Sequence, residues 1–226
     1  MSVTAILGPD GKPERLLSVS REITGMKQAE ERLRLMMGEL NHRVKNTLAT
    51  VQAVVTLSAR SADSVADYKA RVLGRLSGLA KTNDLLTQSS WVGANLRALL
   101  CGELDIYDDE AGERIKLDGP EVELSARQAV AVSMVVHELT TNAAKYGALS
   151  LPQGRVAVSW RVRGENGHKR LSLTWVEQDG PPVTPPTRKG FGSKMIQEAL
   201  ARELNADIRI EYLPEGLRFS VSTLLA

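Results

Sequence analysis

Glu138, Asn142 and Lys145 stand four and then three residues apart within Val136–Ser150, a spacing that projects all three from one face of a helix. That face offers a carboxylate, an amide oxygen and a cation before the chain reaches Gly147. A carboxylate and an amide oxygen suit Mg²⁺, which takes few protein ligands beside water and substrate phosphates. A lysine suits the phosphates themselves. Three further groups can join this chemistry. His42, within Glu39-Leu40-Asn41-His42-Arg43-Val44-Lys45-Asn46, lies off the apolar seam of a long helical segment, where an exposed imidazole, largely neutral at pH 7, is a competent nucleophile. The segment W-V-E-Q-D-G-P-P-V, Trp175–Val183, puts Glu177 at the end of a strand. A carboxylate there can accept a hydrogen bond from an exocyclic amine such as that of adenine, and Gly180 permits close backbone approach. The segment R-K-G-F-G-S, Arg188–Ser193, sets Gly190 and Gly192 before a helix, whose free amides would meet phosphate oxygens with Arg188 adding charge. Taken singly, each group has a plain structural explanation: a solvated helix face, a surface histidine, a strand-to-loop turn, a flexible loop.

The elements that must position these groups are patterned separately. Residues 3–7 and 16–20 read as short strands around Gly8-Pro9-Asp10-Gly11 and Pro13. A lone hairpin is marginal in water, so this one is expected to complete a sheet upstream of Met1 or on another chain. From about Met26 to Arg60 only Gly38 interrupts a helical pattern, and Leu33, Met37, Leu40, Val44, Leu48, Val51 and Val55 form a coiled-coil-like seam. At about 1.5 Å per residue that helix is roughly 50 Å long. A turn at 61–64 leads into a second seam at Tyr68, Val72, Leu76, Leu79 and Leu86. The two helices make a hairpin with an apolar face to cover, either by a second copy, giving a four-helix bundle, or by an upstream domain.

From Asn95 onward the pattern is mixed. Leu96–Leu100, Ala126–Lys145 and Lys194–Leu204 read as helices, and Arg114–Leu117, Arg155–Val162, Arg170–Glu177, Asp207–Tyr212 and Leu217–Thr223 as strands. Strands gathered on one side of three helices predict an α+β fold, a two-layer sandwich following the helical hairpin.

Composition narrows the function classes. With 29 basic and 27 acidic residues, no blanket attraction to nucleic acid or to an anionic membrane follows. Aromatics at 4 % leave little for base-stacking platforms. One cysteine excludes an internal disulfide and fits a reducing cytoplasm. No apolar run reaches the roughly 20 residues of a membrane span, and the first ten residues are no signal peptide.

In this order and setting the motifs resemble a bacterial sensor histidine kinase of the HWE subfamily, whose ATP-binding module has the GHKL, or Bergerat, fold. The subfamily takes its name from the His of the N-box and the W-x-E of the G1 box, which match His137 and Trp175-Val176-Glu177. The phosphoacceptor box matches Asn41–Asn46, the N-box His137–Leu139, Asn142-Ala143 and Lys145–Ser150, and the G2 loop Gly190-Phe191-Gly192. Pro9–Thr24 resembles the end of a PAS domain entering its output helix, with Glu22 where aspartate is more usual. The resemblance implies three parts: 1–24, the last hairpin of a PAS-like sensor; 25–90, a helical hairpin bearing the phosphoacceptor; and 95–226, the catalytic ATP-binding domain.

It also implies a reaction: autophosphorylation of His42 from ATP, then transfer to an aspartate of a response regulator. ATP would be held by Asn142, Lys145, Tyr146, Glu177, Gly180, Arg188, Gly190, Phe191 and Gly192, and Mg²⁺ by Asn142. Glu138 would orient or deprotonate the imidazole, with Glu39, one turn before His42, as the alternative. The implied setting is a cytoplasmic homodimer coupled to an upstream sensor, with neither nucleic acid binding nor membrane insertion.

Two positions depart from the family pattern: Asp179 stands for the first glycine of W-x-E-x-G-G-P, and no acid directly follows His42. The lid between Pro181 and Lys189 is short and stiffened by Pro181, Pro182, Pro185 and Pro186, which agrees with the subfamily rather than with longer-lidded kinases. Other GHKL proteins, an ATPase or an anti-sigma-type serine kinase, are the rival enzymes. A catalytically idle scaffold binding a receiver domain is the non-enzymatic rival.

Overall fold

The computed structural model describes residues 2–7, 9, 11, 13–19, 22, 24–59, 62, 64–89, 92–109, 111–165, 167–183 and 205–225. It divides into two compact units, Met1–Gln52 and Ala53–Ala226.

In the first unit, strands β1 (Ser2–Leu7) and β2 (Pro13–Val19) pair antiparallel, with the register shifting between Ile6 and Leu7 to meet Pro13. Pro13 can sit there because a strand's first residue need not donate to the ladder. The unit also holds most of helix α1 (Thr24–Ala59). Of the expected seam, Leu33, Met37, Leu40, Val44 and Leu48 are exposed on it and Val51 is half-buried.

The second unit begins with the last turns of α1. Ser64 then caps helix α2 (Val65–Gln88), its hydroxyl accepting the Asp67 N–H at 3.1 Å. Strand β3 (Ala94–Asn95) leads into helix α3 (Leu96–Leu104), capped by Asn95, which accepts the Ala98 N–H. Strands β4 (Ile115–Asp118) and β5 (Glu123–Leu124) precede helix α4 (Ala126–Lys145). A capping box starts α4: Ser125 and Gln128 each bond the other's backbone N–H. Strands β6 (Arg155–Glu165), β7 (His168–Gln178), β8 (Asp207–Leu213) and β9 (Gly216–Leu224) complete the described chain.

The five-stranded sheet has the order β4-β6-β7-β9-β8, antiparallel except for the parallel pair β4–β6. Alternation along the strands turns Val156, Val158 and Trp160 of β6, Leu171, Leu173 and Trp175 of β7, and Phe219 and Val221 of β9 to one face. There they form one core with Val132, Val135, Val136 and Leu139 of α4 and with the apolar face of α3. Each fully buried tryptophan removes roughly 150–250 Å² from water, and the indole of Trp160 keeps a partner by donating to Pro120 O at 2.7 Å.

These layers make the α+β sandwich that the sequence predicts, with element boundaries shifted by a few residues. The expected helix at 194–204 lies outside the described residues. Among the described residues no helix is long and apolar enough to cross a membrane.

Candidate functional site

Helix α4 ends at Lys145, with Tyr146 as its C-cap. The amides of Tyr146 and Gly147 bond back to Asn142 O at 2.8 and 3.1 Å, and a 3-10 turn, Ala148–Ser150, follows. On this last turn Asn142, Lys145 and Tyr146 are exposed. The turn is pinned to β7. The period of two that buries Trp175 also sends Glu177 inward, to 3 % exposure. Glu177 Oε2 accepts the Ala148 N–H at 2.9 Å, and Oε1 accepts the Trp175 indole N–H at 3.3 Å. Burial pushes the Glu177 carboxyl above its usual value, and these two donors pull it partly back.

Glycines close the joint. A Cβ on Gly180 would stand 2.6 Å from Ala148 Cα, one on Gly154 would meet Ala148 O, and one on Gly147 would meet the Glu177 carboxylate. The freedom of Gly180 is thus used against the backbone of Ala148. In this way Glu177 and Gly180 of one motif are brought to the end of the helix that carries Asn142, Lys145 and Tyr146.

Glu138 lies one turn earlier and is buried. Its Oε1 accepts from Arg75 Nε of α2 at 2.5 Å. Arg75 Nη1 also donates to Ser58 Oγ at 2.6 Å, and Ser58 donates to Val54 O on α1. Helix α2 runs antiparallel to α4, because Thr82 pairs with Ser133 at 2.7 Å farther along the same interface. His137 packs between: its Nδ1 lies 3.0 Å from Glu103 Oε2, and Cβ atoms on Gly74 and Gly78 would come within 3.2 Å of its Nε2 and 3.1 Å of Glu103 Oε1. Arg75, Ser58 and Glu103 were not legible as site neighbours. Their only trace is the pair of glycines four apart on α2, which lets two helices approach closely.

His42 is exposed on α1 in the other unit, and Glu39, one turn before it, is bonded by Arg43. Arg188, Gly190, Phe191 and Gly192 lie outside the described residues. Among the described residues no three His, Cys, Asp or Glu side chains are grouped to hold a metal. The exposed amide of Asn142 fits a Mg²⁺ whose other ligands are phosphate and water, and not an all-protein metal cage.

The family model for the HWE histidine kinase matches residues 39–121, from the segment around His42 through α2 and α3. The chain carries an HWE histidine kinase domain. A blue-light-activated histidine kinase of Brucella anthropi is 36 % identical over 211 residues, which make up 93 % of this chain and 43 % of that relative. The chain therefore spans less than half the length of that relative. The blue-light activated histidine kinase of Erythrobacter litoralis superposes with a TM-score of 0.54 at 18 % identity, over 95 % of this chain and 62 % of that one. Its histidine kinase domain alone gives 0.50 at 19 %, over 80 % of this chain and 94 % of that one. At such identities the two structures speak for the fold.

Asp179, which lies beyond the residues matched by the family model, has a local explanation for standing where the resemblance expects glycine. Asp179 has φ 57°, in the left-handed region, which aspartate enters more readily than most residues bearing a Cβ. Its carboxylate stands 4.0 Å from Arg155, an exposed pair worth little.

Proposed function

We propose that this chain is the kinase core of a two-component sensor, which phosphorylates His42 from Mg·ATP and passes the phosphoryl group to an aspartate of a separate receiver domain. The organisation proposed with it is a PAS-like hairpin (1–24), a phosphoacceptor hairpin (25–90) and an ATP-binding domain (95–226), cytoplasmic and dimeric through the helical hairpin. The observation that carries the reading is the joint of Glu177 and Gly180 with Ala148. It brings an acid and a glycine turn to the end of a helix whose last turn exposes an amide, a lysine and a tyrosine.

In this reading Asn142 ligates Mg²⁺, and Lys145 and Arg188 neutralise phosphate charge. Tyr146 and Glu177 border the base, Gly180 shapes the loop beneath it, and Gly190, Phe191 and Gly192 cover the triphosphate. When bound at Asn142, Mg²⁺ would supply charge neutralisation for the transferring phosphoryl group. His42 Nε2 forms the P–N bond as the bond from the γ-phosphorus to the bridging oxygen breaks and ADP leaves. What the protein supplies is position and electrostatics. Glu138, with one oxygen already on Arg75, suits orienting the imidazole better than taking its proton. The same pairing disfavours the ATPase alternative, which needs that carboxylate to activate water.

The test is protein labelling from ATP carrying a labelled γ-phosphate. The expected label is acid-labile and base-stable, absent in His42→Ala with nucleotide binding retained, and lost together with Mg·ATP binding in Asn142→Ala. Label that survives acid would point to the serine kinase, and phosphate release without label to the ATPase.

A further inference from the structure

Arg75 sits where three helices meet. It donates to Glu138 of α4 and to Ser58 of α1, and the three residues are 6 %, 8 % and 0 % exposed. A guanidinium stays charged in proteins and presents a rigid fork of donors. The carboxylate it holds is therefore aimed in one direction. A glutamate with three rotatable bonds has no such aim of its own, and an orienting group has to be set before its partner arrives. Gly74, beside Arg75, and Gly78 remove the Cβ atoms that would keep α2 away from His137 and Glu103. The helices come close enough for Arg75 to reach Glu138 with Nε.

Resting on the phosphoryl-transfer reading above, we propose that Arg75 is a positioning residue: it sets the carboxylate of Glu138 for the acceptor imidazole and, through Ser58, ties that setting to the helical hairpin. A shift of α1 against α2 then re-aims Glu138 while the nucleotide ligands one and two turns farther along α4 keep their places.

The test compares autophosphorylation over a range of Mg·ATP, and ADP binding by calorimetry, in the wild type, Arg75→Met, Arg75→Lys, Ser58→Ala, Glu138→Gln and the Arg75→Met/Glu138→Gln pair. Misplacing an orienting group by an ångström costs on the order of 10²-fold, so Arg75→Met is expected to lose about 10- to 100-fold in kcat with KM for ATP within about two-fold. Arg75→Lys recovers part of the loss, and Ser58→Ala loses less than Arg75→Met. The double variant is no slower than the slower single one. Unchanged or faster labelling in Arg75→Met, losses that multiply in the pair, or KM rising as kcat falls would each overturn the proposal. If Arg75→Met fails to fold, Arg75→Lys carries the test: it must lower kcat alone and have no effect on the Glu138→Gln background. A wild type that binds ADP yet shows no acid-labile label would sink the phosphoryl-transfer reading and this proposal with it. Label indifferent to Arg75 would sink this proposal only.

Discussion

Glu177 is a carboxylate placed among core residues, and its protonation is linked to folding. Burial raises its folded pKa above the usual value of 4.5, and the Ala148 and Trp175 donors only partly offset the rise. Its contribution to stability is therefore complete below the unfolded pKa and is lost as pH rises through the folded one. Relative to Glu177→Gln, the wild type should lose stability from about pH 4.5 upward, as read by urea unfolding at a series of pH values. Parallel curves for the two proteins would refute this. Asp179 offers a second test. Replacing it by glycine removes a left-handed strain of about 1 kcal/mol and forfeits an exposed ion pair worth about 0–1 kcal/mol. Asp179→Gly should raise the melting temperature slightly, and a fall would show that the Arg155 contact matters more than the backbone. The W-x-E pattern was legible because its period of two puts Trp175 and Glu177 on one face. What Glu177 holds was not legible, since Ala148 lies 29 residues away and offers only a backbone amide.

Between elements, the end of α4 and the end of β7 are joined through contacts that leave no room for side chains. Gly180→Ala would place a methyl group 2.6 Å from Ala148 Cα and 2.9 Å from its N. The turn must give way, at about 1–3 kcal/mol for an overpacked site, and the Ala148 N–H leaves Glu177. A lower melting temperature together with weaker nucleotide binding is expected, and calorimetry that finds binding untouched would separate the joint from the nucleotide site. The C-terminal limit of α4 was readable from local chemistry, at Gly147, while the capping box of Ser125 and Gln128 that starts it is a finding of the structure. The contact of α2 with α4 was not readable. Leu79 and Leu86, which the sequence puts on a seam of the helical hairpin, are buried, and Leu86 belongs to the core shared with α3 and α4. Yet the polar line of Arg75–Glu138 and Thr82–Ser133 is scattered over positions that in sequence resemble a solvated helix face.

At the scale of the molecule, α1 carries most of the exposed large hydrophobic side chains among the described residues. Leu40 and Val44 are 61 % and 48 % exposed, and Leu33, Met37 and Leu48 continue the stripe. A patch of this kind marks an association surface, so the 24.6 kDa chain is expected to sediment as a dimer. Leu40→Glu with Val44→Glu should return it to a monomer without changing nucleotide binding. A wild type that sediments as a monomer at all concentrations would rule out self-association through α1. By itself the sequence determined the described α-helices, most of the described strands and the α+β class, because periodicity and turn residues act over a few neighbours. Only the tertiary structure decided that β4 lies parallel to β6, that Glu177 bonds Ala148, and that Glu138 is taken up by Arg75. Those outcomes depend on which groups are driven from water together, and burial obliges each polar group to find a partner that no local pattern names.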